Sequence, residues 1–317
     1  MSGIFRVFGT GARRVVTSAT GNKRRTEVAI VGAGMAGLMA ARRLAAAGVD
    51  VLVLEARERV GGRIYTRSAS DGTLLDLGAQ WIGPTQRHLA QLAADIGVAT
   101  FKTYDTGNNV EYRRGQRTTY SGPIPTADPL ASADIIEAML NLTTMSTRVP
   151  LDAPWQAPDA AVWDAQTAGS WIELNVASDG ARKLLALAVQ AVFSAEPHDL
   201  SLLHVLFYIH SAGGLMDLLG VTAGAQESRF VGGAQQIPIK LANALGERVL
   251  LGAPTWRVMQ DETGVRLEGD SIVVRADRAI IAIPPALAGR LRYMPQLPGL
   301  RDQLTQRMPM GSVIKLH

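Results

Sequence analysis

The hydrophobic positions near the N-terminus follow a strand, helix, strand order. Residues 28–31 form an apolar run of strand length, an Ala/Leu-rich helical stretch runs to Ala47, and residues 51–54 form a second apolar run. Gly48 separates the helix from the second run, as glycine commonly does at helix ends. This order predicts two neighbouring parallel strands joined by a helix that covers the sheet.

Strand patterns return in the last third of the chain. The alternation of Val265, Leu267, Ile272 and Val274 indicates a half-buried meander. Residues 279–283 are continuously apolar, which predicts a central parallel strand buried on both faces. The predicted strands are 248–251, 256–260, 264–268, 271–275 and 278–283, and the predicted helices are 88–96, 236–245 and most of 163–208, with a buried helix at 184–193.

Residues 105–160 are rich in Thr, Pro, Asp and Gly. Proline and glycine interrupt regular elements, so this composition predicts loops and short helices over a surface. We find no internal repeat in the chain.

The first predicted strand turns directly into G-x-G-x-x-G at Gly32, Gly34 and Gly37. In a dinucleotide-binding turn the first glycine makes the bend, the second lets the backbone approach a pyrophosphate, and the third lets the helix pack closely. The N–H groups of Met35 and Ala36 open the helix and would face the phosphates. The strand–turn–helix–strand context therefore predicts a dinucleotide site, with NAD and FAD both open at this point.

Glu55 ends the second apolar run, 23 residues after Gly32. A carboxylate there can accept both hydroxyls of an adenosine ribose and repels a 2′-phosphate. The chain continues with Ala56 and Arg57 to Gly61-Gly62-Arg63, which adds backbone N–H groups and a cation near the same pyrophosphate. NAD enzymes have no need of this extension, so it favours FAD.

This extension resembles the fingerprint E-A-R-x-R-x-G-G-R of the flavin-containing amine oxidases. The resemblance continues through D-L-G-A-Q-W-I-G-P-T-Q at residues 76–86 and recurs at intervals over about residues 26–317, where it is closest to the monoamine oxidases. It implies an α/β fold in which a Rossmann-like FAD-binding domain is interleaved with an α+β substrate domain. The expected boundaries are 25–99 and 230–304 for the FAD-binding domain, and 100–229 and 305–317 for the substrate domain.

The resemblance also implies which residues bind the cofactor. Val249 is expected to offer backbone hydrogen bonds to the adenine, and residues 78–81 to pass the flavin. Arg57 and Arg63 could equally be structural ion-pair partners, and Trp81 could simply pack beneath the flavin. The expected FAD-binding residues are Gly32, Gly34, Ala36, Gly37, Glu55, Ala56, Arg57, Gly62, Arg63, Gly78, Ala79, Gln80, Trp81 and Val249.

Lys315 is the candidate catalytic residue. It ends the run M-G-S-V-I-K, which is similar to the family's G-S-V-I-K segment, whose lysine approaches flavin N5 through a water. A cation there stabilises negative charge that develops during reoxidation by O₂. For the substrate, the resemblance implies Gln226, in G-A-Q-E, as the orienting residue, and Val192, Tyr208 and Leu219 as cavity-lining residues.

The implied reaction is FAD-dependent oxidation of a primary amine to an imine and then an aldehyde, with O₂ reduced to H₂O₂. The expected partners are a small amine and O₂, with a homodimer as an open alternative. An L-amino-acid or polyamine oxidase is an alternative, and the former would use Arg113 or Arg114 for the substrate carboxylate. A carotenoid desaturase or protoporphyrinogen oxidase would share residues 28–63 but should lack the G-A-Q-E-like and G-S-V-I-K segments together.

Charge and composition narrow these classes. Net charge is +4, but residues 1–26 hold six Lys/Arg and no acid, so the remainder is slightly acidic and gives no support to nucleic-acid binding. The basic segment 1–24 is expected to be a disordered tail, with a targeting segment as the alternative. No apolar run approaches the roughly 18 residues of a membrane span, and we expect a cytoplasmic protein.

Cysteine is absent, which excludes disulfides, thiolate metal sites and a cysteinyl–flavin bond within these residues. The five histidines show no i, i+4 pair, so no metal site is expected.

Family members continue well beyond the position of Lys315, adding an aromatic pair that faces the flavin and a helix that supports its ring. The sequence therefore leads us to expect an N-terminal two-thirds of an amine oxidase, which binds the ADP half of FAD better than the flavin. The alternative function is an FAD-binding fragment without turnover.

Overall fold

The computed structural model describes residues 22–113, 115–122, 124–125 and 128–315. These residues form two compact units, and each unit is built from two separate segments of the chain. Within the described residues, the first unit contains 22–60 and 245–306, and the second contains 61–244 and 307–315.

The described residues contain the following strands: β1 (Asn22–Val31), β2 (Val51–Leu54), β3 (Thr66–Ser68), β4 (Leu74–Asp76), β5 (Trp81–Ile82), β6 (Thr100–Lys102), β7 (Asn109–Arg113), β8 (Gln116–Tyr120), β9 (Ser228–Phe230), β10 (Val249–Leu250), β11 (Thr255–Asp261), β12 (Gly264–Gly269), β13 (Ile272–Ile281) and β14 (Arg292–Met294).

The helices are α1 (Met35–Ala46), α2 (Arg87–Asp95), α3 (Pro129–Ser146), α4 (Ala160–Asp164), α5 (Ala168–Asn175), α6 (Asp179–Phe193), α7 (Leu202–Ala212), α8 (Leu215–Leu219), α9 (Gln236–Leu245), α10 (Pro285–Ala288) and α11 (Gly299–Gln306), with single 3-10 turns at Pro154–Gln156, Pro197–Asp199 and Gly246–Arg248.

A seven-stranded sheet organises the first unit, in the order β10-β2-β1-β13-β12-β11-β14. β1 lies parallel to both β2 and β13, while β11, β12 and β13 form an antiparallel meander. Leu54, Leu267 and Val274 belong to the buried core on this sheet. The mixed sheet with a parallel centre confirms the predicted α/β class, and the predicted meander is present.

β13 differs from the prediction in two respects. The segments 271–275 and 278–283 were predicted as separate strands, but Ala276 and Asp277 continue one strand because β1 and β12 pair along both sides of it. The prediction that residues 279–283 are buried on both faces is wrong, since Ile280 is 36% exposed.

β1 begins earlier than the sequence predicts. Residues 22–24 were assigned to the tail, but they pair with residues 272–274 of β13 and extend the strand. Strand pairing therefore overrides the basic composition there. The rest of the predicted tail, residues 1–21, lies outside the described residues.

The second unit is largely helical. Trp163, Trp171, Leu202, Leu206 and Ile209 belong to its buried core. Three small sheets accompany the helices: the β3–β4 and β7–β8 hairpins and a three-stranded sheet in the order β5-β9-β6. The predicted helical character of 163–208 is confirmed, but α6 is only half-buried along residues 184–193.

The region predicted as loops and short helices contains the β7–β8 hairpin and the 18-residue helix α3. The Asp128 side chain caps α3 by accepting the Ala131 N–H at 3.1 Å, and Pro129 occupies the first turn. Proline is favourable there because the N–H it lacks has no intrahelical partner. The proline that suggested a loop therefore marks a helix start.

The compact units and the predicted domains divide the chain differently. Segments 61–99 and 230–244 were assigned to an FAD-binding domain, whereas they lie within the second unit. One reason is that β9 pairs with both β5 and β6, which ties residues 228–230 to residues 81–82 and 100–102. The functional assignment of the domains stays a prediction.

Candidate functional site

Gly32 and Gly37 of the first unit lie at a turn where their positions accommodate only glycine. Gly32 follows β1 with φ of +105°, and a Cβ there would lie 2.7 Å from the Ile283 side chain. A Cβ on Gly37 would lie 1.9 Å from the carbonyl oxygen of Gly32. The absence of these two side chains lets α1 begin directly against the end of β1.

Gly34 lies at the N-terminus of α1, and its surroundings differ from those of Gly32 and Gly37. A Cβ on Gly34 meets nothing within 4 Å among the described residues, and no side chain caps the helix. The N–H groups of the first turn, including the exposed Ala36, have no intrahelical acceptor. An uncapped helix start with open space before it fits a pyrophosphate, because the helix dipole places partial positive charge there.

Glu55 is buried beside this turn. Its Oε2 accepts the Ala33 N–H at 2.8 Å, and its Oε1 accepts the Arg57 N–H at 3.0 Å. The backbone therefore fixes the orientation of both oxygens. Each carboxylate oxygen can accept a second hydrogen bond, so both stay available to ribose hydroxyls. Ala56 and Arg57 follow at the surface.

Val249 lies on β10, the edge strand next to β2. The carbonyl of Leu250 accepts the Glu55 N–H at 2.9 Å, so Leu250 points its backbone groups toward β2. Successive strand residues alternate, so the Val249 carbonyl faces away from β2. The Val249 N–H already donates to the Gly246 carbonyl. Of the two backbone groups of Val249, the carbonyl is therefore the one that stays available for the predicted hydrogen bond to the adenine.

In the second unit, the predicted residues 62–63 and 78–79 lie against one another. A Cβ on Gly78 would lie 2.0 Å from the carbonyl oxygen of Arg63, and the Ala79 N–H donates to that oxygen at 3.3 Å. Gly62 has a left-handed φ of +57°. The Arg63 side chain is exposed and forms no ion pair with the described residues, and the same holds for Arg57. Their reading as structural ion-pair partners therefore gains no support.

The Lys315 side chain packs against the segment that contains Gly78. Its Nζ donates to the carbonyl oxygens of Asp76, at 3.0 Å, and Gly78, at 2.5 Å. The centroid of the Trp81 ring lies 6.0 Å from the same Nζ, and Gln80, which precedes Trp81, is half-buried. An ammonium group has three N–H donors, so one donor remains after these two bonds. The structure thus brings Lys315 together with the predicted residues Gly78 and Trp81.

Burial lowers the pKa of Lys315, the nearby Asp76 carboxylate raises it, and the Arg229 cation lowers it further, with the net effect downward. The cause is that a partly buried ammonium loses hydration.

Asp76 and Arg229 were not predicted as site residues. Asp76 is 2% exposed, and its Oδ1 accepts the Thr66 hydroxyl at 2.6 Å and the Ala234 N–H at 3.1 Å. Its Oδ2 lies 3.4 Å from Nη2 of Arg229. A signal for both was present, since Asp76 directly precedes Leu77-Gly78 and Arg229 follows G-A-Q-E by two residues.

The predicted substrate residues fall into two groups. Val192 and Tyr208 are linked by Phe193, whose ring centroid lies 4.8 Å from that of Tyr208. Leu219 ends α8, and the Gln226 N–H donates to the carbonyl of the next residue, Gly220, at 3.2 Å.

The segment that carries Lys315 contacts the C-terminal end of α6, the helix that contains Val192. The Ser312 N–H donates to the carbonyl of Ser194, the residue after α6, at 3.2 Å. A Cβ on Gly311 would lie 2.8 Å from the Ser194 side chain. The glycine of G-S-V-I-K therefore permits the segment to pass close to the end of the helix that carries Val192.

Two further predictions bear on function. Arg113, a candidate for a substrate carboxylate, lies 3.9 Å from Asp128 in an ion pair, and Arg114 lies outside the described residues. Among the described helices, none combines the length and the apolar character that a membrane crossing requires.

Comparisons with known proteins agree with this geometry. Residues 35–317 match the family described as flavin containing amine oxidoreductase. The chain is 37% identical over 306 residues to the flavin-containing amine oxidase A of Canis lupus familiaris, covering 96% of this chain and 58% of that protein. It is 35% identical to the flavin-containing amine oxidase B of Sus scrofa, covering 92% of this chain and 56% of that protein.

Solved structures give the same picture. Wild-type putrescine oxidase bound to putrescine matches with a TM-score of 0.84 and 33% identity, over 90% of this chain and 64% of that one. Cyclohexylamine oxidase from Brevibacterium oxydans IH-35A matches with a TM-score of 0.83 and 31% identity, over 89% and 63%. The chain thus spans less than two thirds of the length of these relatives.

Proposed function

The chain belongs to the flavin-containing amine oxidoreductase family, whose cofactor is FAD, and from that premise we propose that it oxidises a primary amine. The products are an imine, which water hydrolyses to an aldehyde and ammonia, and H₂O₂ from O₂. The observation that carries the proposal is the position of the Lys315 ammonium, held on the carbonyls of Asp76 and Gly78 beside Trp81.

Each unit supplies groups for part of the reaction. In the first unit, Gly34 and the start of α1 bind the pyrophosphate, Glu55 binds the ribose hydroxyls, and the Val249 carbonyl accepts a hydrogen bond from the adenine amino group. FAD supplies the two-electron acceptor, which no side chain can provide. The protein contributes placement and electrostatic stabilisation.

In the second unit, Lys315 and Trp81 are the residues proposed to face the flavin ring. The third N–H of Lys315 can hold a water, and its charge stabilises the anionic character that O₂ acquires on reduction. Gln226 orients the amine, and Val192, Tyr208 and Leu219 line its cavity. These roles extend the family resemblance residue by residue.

The relatives support a primary amine as the substrate class. Putrescine and cyclohexylamine, named for two structural relatives, both carry a primary amino group on an aliphatic carbon. An L-amino-acid substrate would need a cation for its carboxylate, and Arg113 is already paired with Asp128.

The test is an anaerobic titration of the purified chain after reconstitution with FAD. We expect an aliphatic primary amine to bleach the flavin absorbance, and O₂ to restore it with equal amounts of aldehyde and H₂O₂. Bound flavin that no amine reduces would refute the proposed activity and favour the alternative of an FAD-binding protein without turnover. Failure to bind FAD would refute both.

A further inference from the structure

Two charged side chains lie next to the Lys315 site without touching its ammonium group. Asp76 of β4 and Arg229 of β9 form an ion pair in which the carboxylate is almost completely buried. The Thr66 hydroxyl and the Ala234 N–H occupy the other carboxylate oxygen. Among the described residues, the hydrogen-bond and ion-pair partners of the Asp76 carboxylate therefore lie on β3, β9 and the turn before α9, and Lys315 is not one of them.

The same residue that forms this ion pair also binds the lysine through its backbone. Lys315 Nζ donates to the Asp76 carbonyl rather than to the Asp76 carboxylate. A free carboxylate would attract the ammonium more strongly than a neutral carbonyl does. Arg229 and the two hydrogen-bond donors compensate the carboxylate charge, which leaves the two carbonyls as the acceptors for the lysine.

Two contacts fix the Arg229 side chain beside Asp76, the ion pair itself and the ring of Phe101. Its side chain is 31% exposed, and its guanidinium lies over the ring of Phe101 at 5.9 Å from the centroid. Its Nε is buried and has no hydrogen-bond partner within the described part of the chain. A partly buried cation loses some of its hydration, and this is costly unless the carboxylate beside it compensates the loss.

We propose that Arg229 and Asp76 form a positioning pair, which holds the Lys315 ammonium on the carbonyl oxygens of Asp76 and Gly78. The pair acts through the lysine and is not itself catalytic. The proposal gains its meaning from the proposed function, but the placement of the lysine can be measured without FAD or amine.

The charged groups that act on Lys315 are Asp76 and Arg229, while β5 presents the Trp81 ring and β3 presents the neutral Thr66. Removing the Arg229 cation takes away a repulsive charge and exposes an attractive one. Both changes raise the pKa of Lys315. Removing the Asp76 carboxylate leaves the Arg229 cation uncompensated and lowers that pKa further.

The experiment is an NMR titration of the side-chain nitrogens in the ¹⁵N-lysine-labelled apo chain, which contains five lysines. The Lys315 signal is assigned by its absence in Lys315→Arg. We expect Arg229→Met to raise the pKa of Lys315, Asp76→Asn to lower it, and Arg229→Lys to leave it near the wild-type value. Arg67→Gln is the matched control, because it removes an exposed guanidinium from the strand that pairs with β4.

An unchanged or lowered pKa in folded Arg229→Met would overturn the proposal, and so would an equal rise in Arg67→Gln. If Arg229→Met does not fold, Asp76→Asn provides the test. A lowered pKa of Lys315 in that variant supports the positioning pair, and an unchanged or raised pKa overturns it. A chain that passes this titration but shows no amine-dependent flavin reduction refutes the proposed function alone.

Discussion

The two glycines at the start of α1 should respond oppositely to the same substitution. In Gly37→Ala the new Cβ would lie 1.9 Å from the Gly32 carbonyl oxygen, far inside van der Waals contact. In Gly34→Ala it would meet no described atom within 4 Å. The first change therefore disturbs the fold itself, whereas the second enters the space proposed for the pyrophosphate.

The magnitudes follow from this geometry. Alanine in a helix gains up to about 1 kcal/mol over glycine, but overpacking costs roughly 1–3 kcal/mol, and here the turn or α1 must move by more than an ångström. We expect Gly37→Ala to lower apo-protein stability by about 2 kcal/mol, or roughly 4 °C in Tm. Gly34 has φ of −75° and ψ of 177°, which alanine adopts without strain, so apo stability should change by less than about 1 kcal/mol.

Gly34→Ala should weaken FAD binding even though it leaves the stability of the apo protein nearly unchanged. A methyl group at Gly34 displaces the phosphates from the N–H groups of α1, and we expect at least a tenfold weaker Kd, which is about 1.4 kcal/mol. Thermal unfolding of the apo chain and calorimetric titration with FAD, or with ADP for this half of the site alone, separate the two effects. Unchanged FAD and ADP affinity in Gly34→Ala, or equal loss of apo stability in both variants, would refute the reasoning.

Three other substitutions test the remaining parts of the site. Glu55→Gln presents an amide N–H₂ to the N–H of Ala33 or Arg57, and we expect roughly tenfold weaker FAD binding by fluorescence titration. Lys315→Met should slow reoxidation of reduced flavin by O₂ by about 10²-fold in stopped-flow mixing, while Lys183→Met, on the exposed face of α6, should not. The Lys102 ammonium lowers the pKa of Glu227, so this carboxylate stabilises the fold above the usual glutamate pKa, and the contribution is lost as pH falls through the lower folded value. Glu227→Gln should therefore lose stability near neutral pH but match the wild type in acid, and a constant Tm difference across that range would contradict the expectation.

The sequence predicted the structure most accurately at positions where a single physical constraint allows a single residue type. Gly32 and Gly37 must be glycine because backbone and neighbouring atoms occupy the positions of their Cβ atoms, so the turn after β1 could be located from spacing alone. α3 was missed because Pro129 was taken as a loop former, although Asp128 before it provides a helix cap. The two predicted halves of β13 were separated because Asp277 interrupts the apolar pattern, while pairing with β1 continues through it.

Long-range partners could not be predicted by these rules. Asp76 and Arg229 are separated by 153 positions, and the motifs beside them do not reveal that the two side chains pair with each other. The predicted adenine contact of Val249 shows the same limit, because the Val249 N–H donates to the Gly246 carbonyl of a 3-10 turn that the predicted strand 248–251 did not reveal. Spacing led to the residues proposed to carry chemistry more readily than to the residues proposed to position them.

Gly78 contacts both of the motifs predicted in the second unit, the Gly61-Gly62-Arg63 run and the segment that ends in Lys315. Its missing Cβ lets the chain run within contact of the Arg63 carbonyl, and its own carbonyl accepts the Lys315 ammonium across 237 positions of sequence. A side chain at this position would separate the Gly61-Gly62-Arg63 run from the lysine segment even if every other residue were kept. The lysine is thus hydrogen-bonded by carbonyls at and just after the end of β4, which a glycine and the compensated charge of Asp76 leave open to the ammonium, and the Trp81 ring lies beside it.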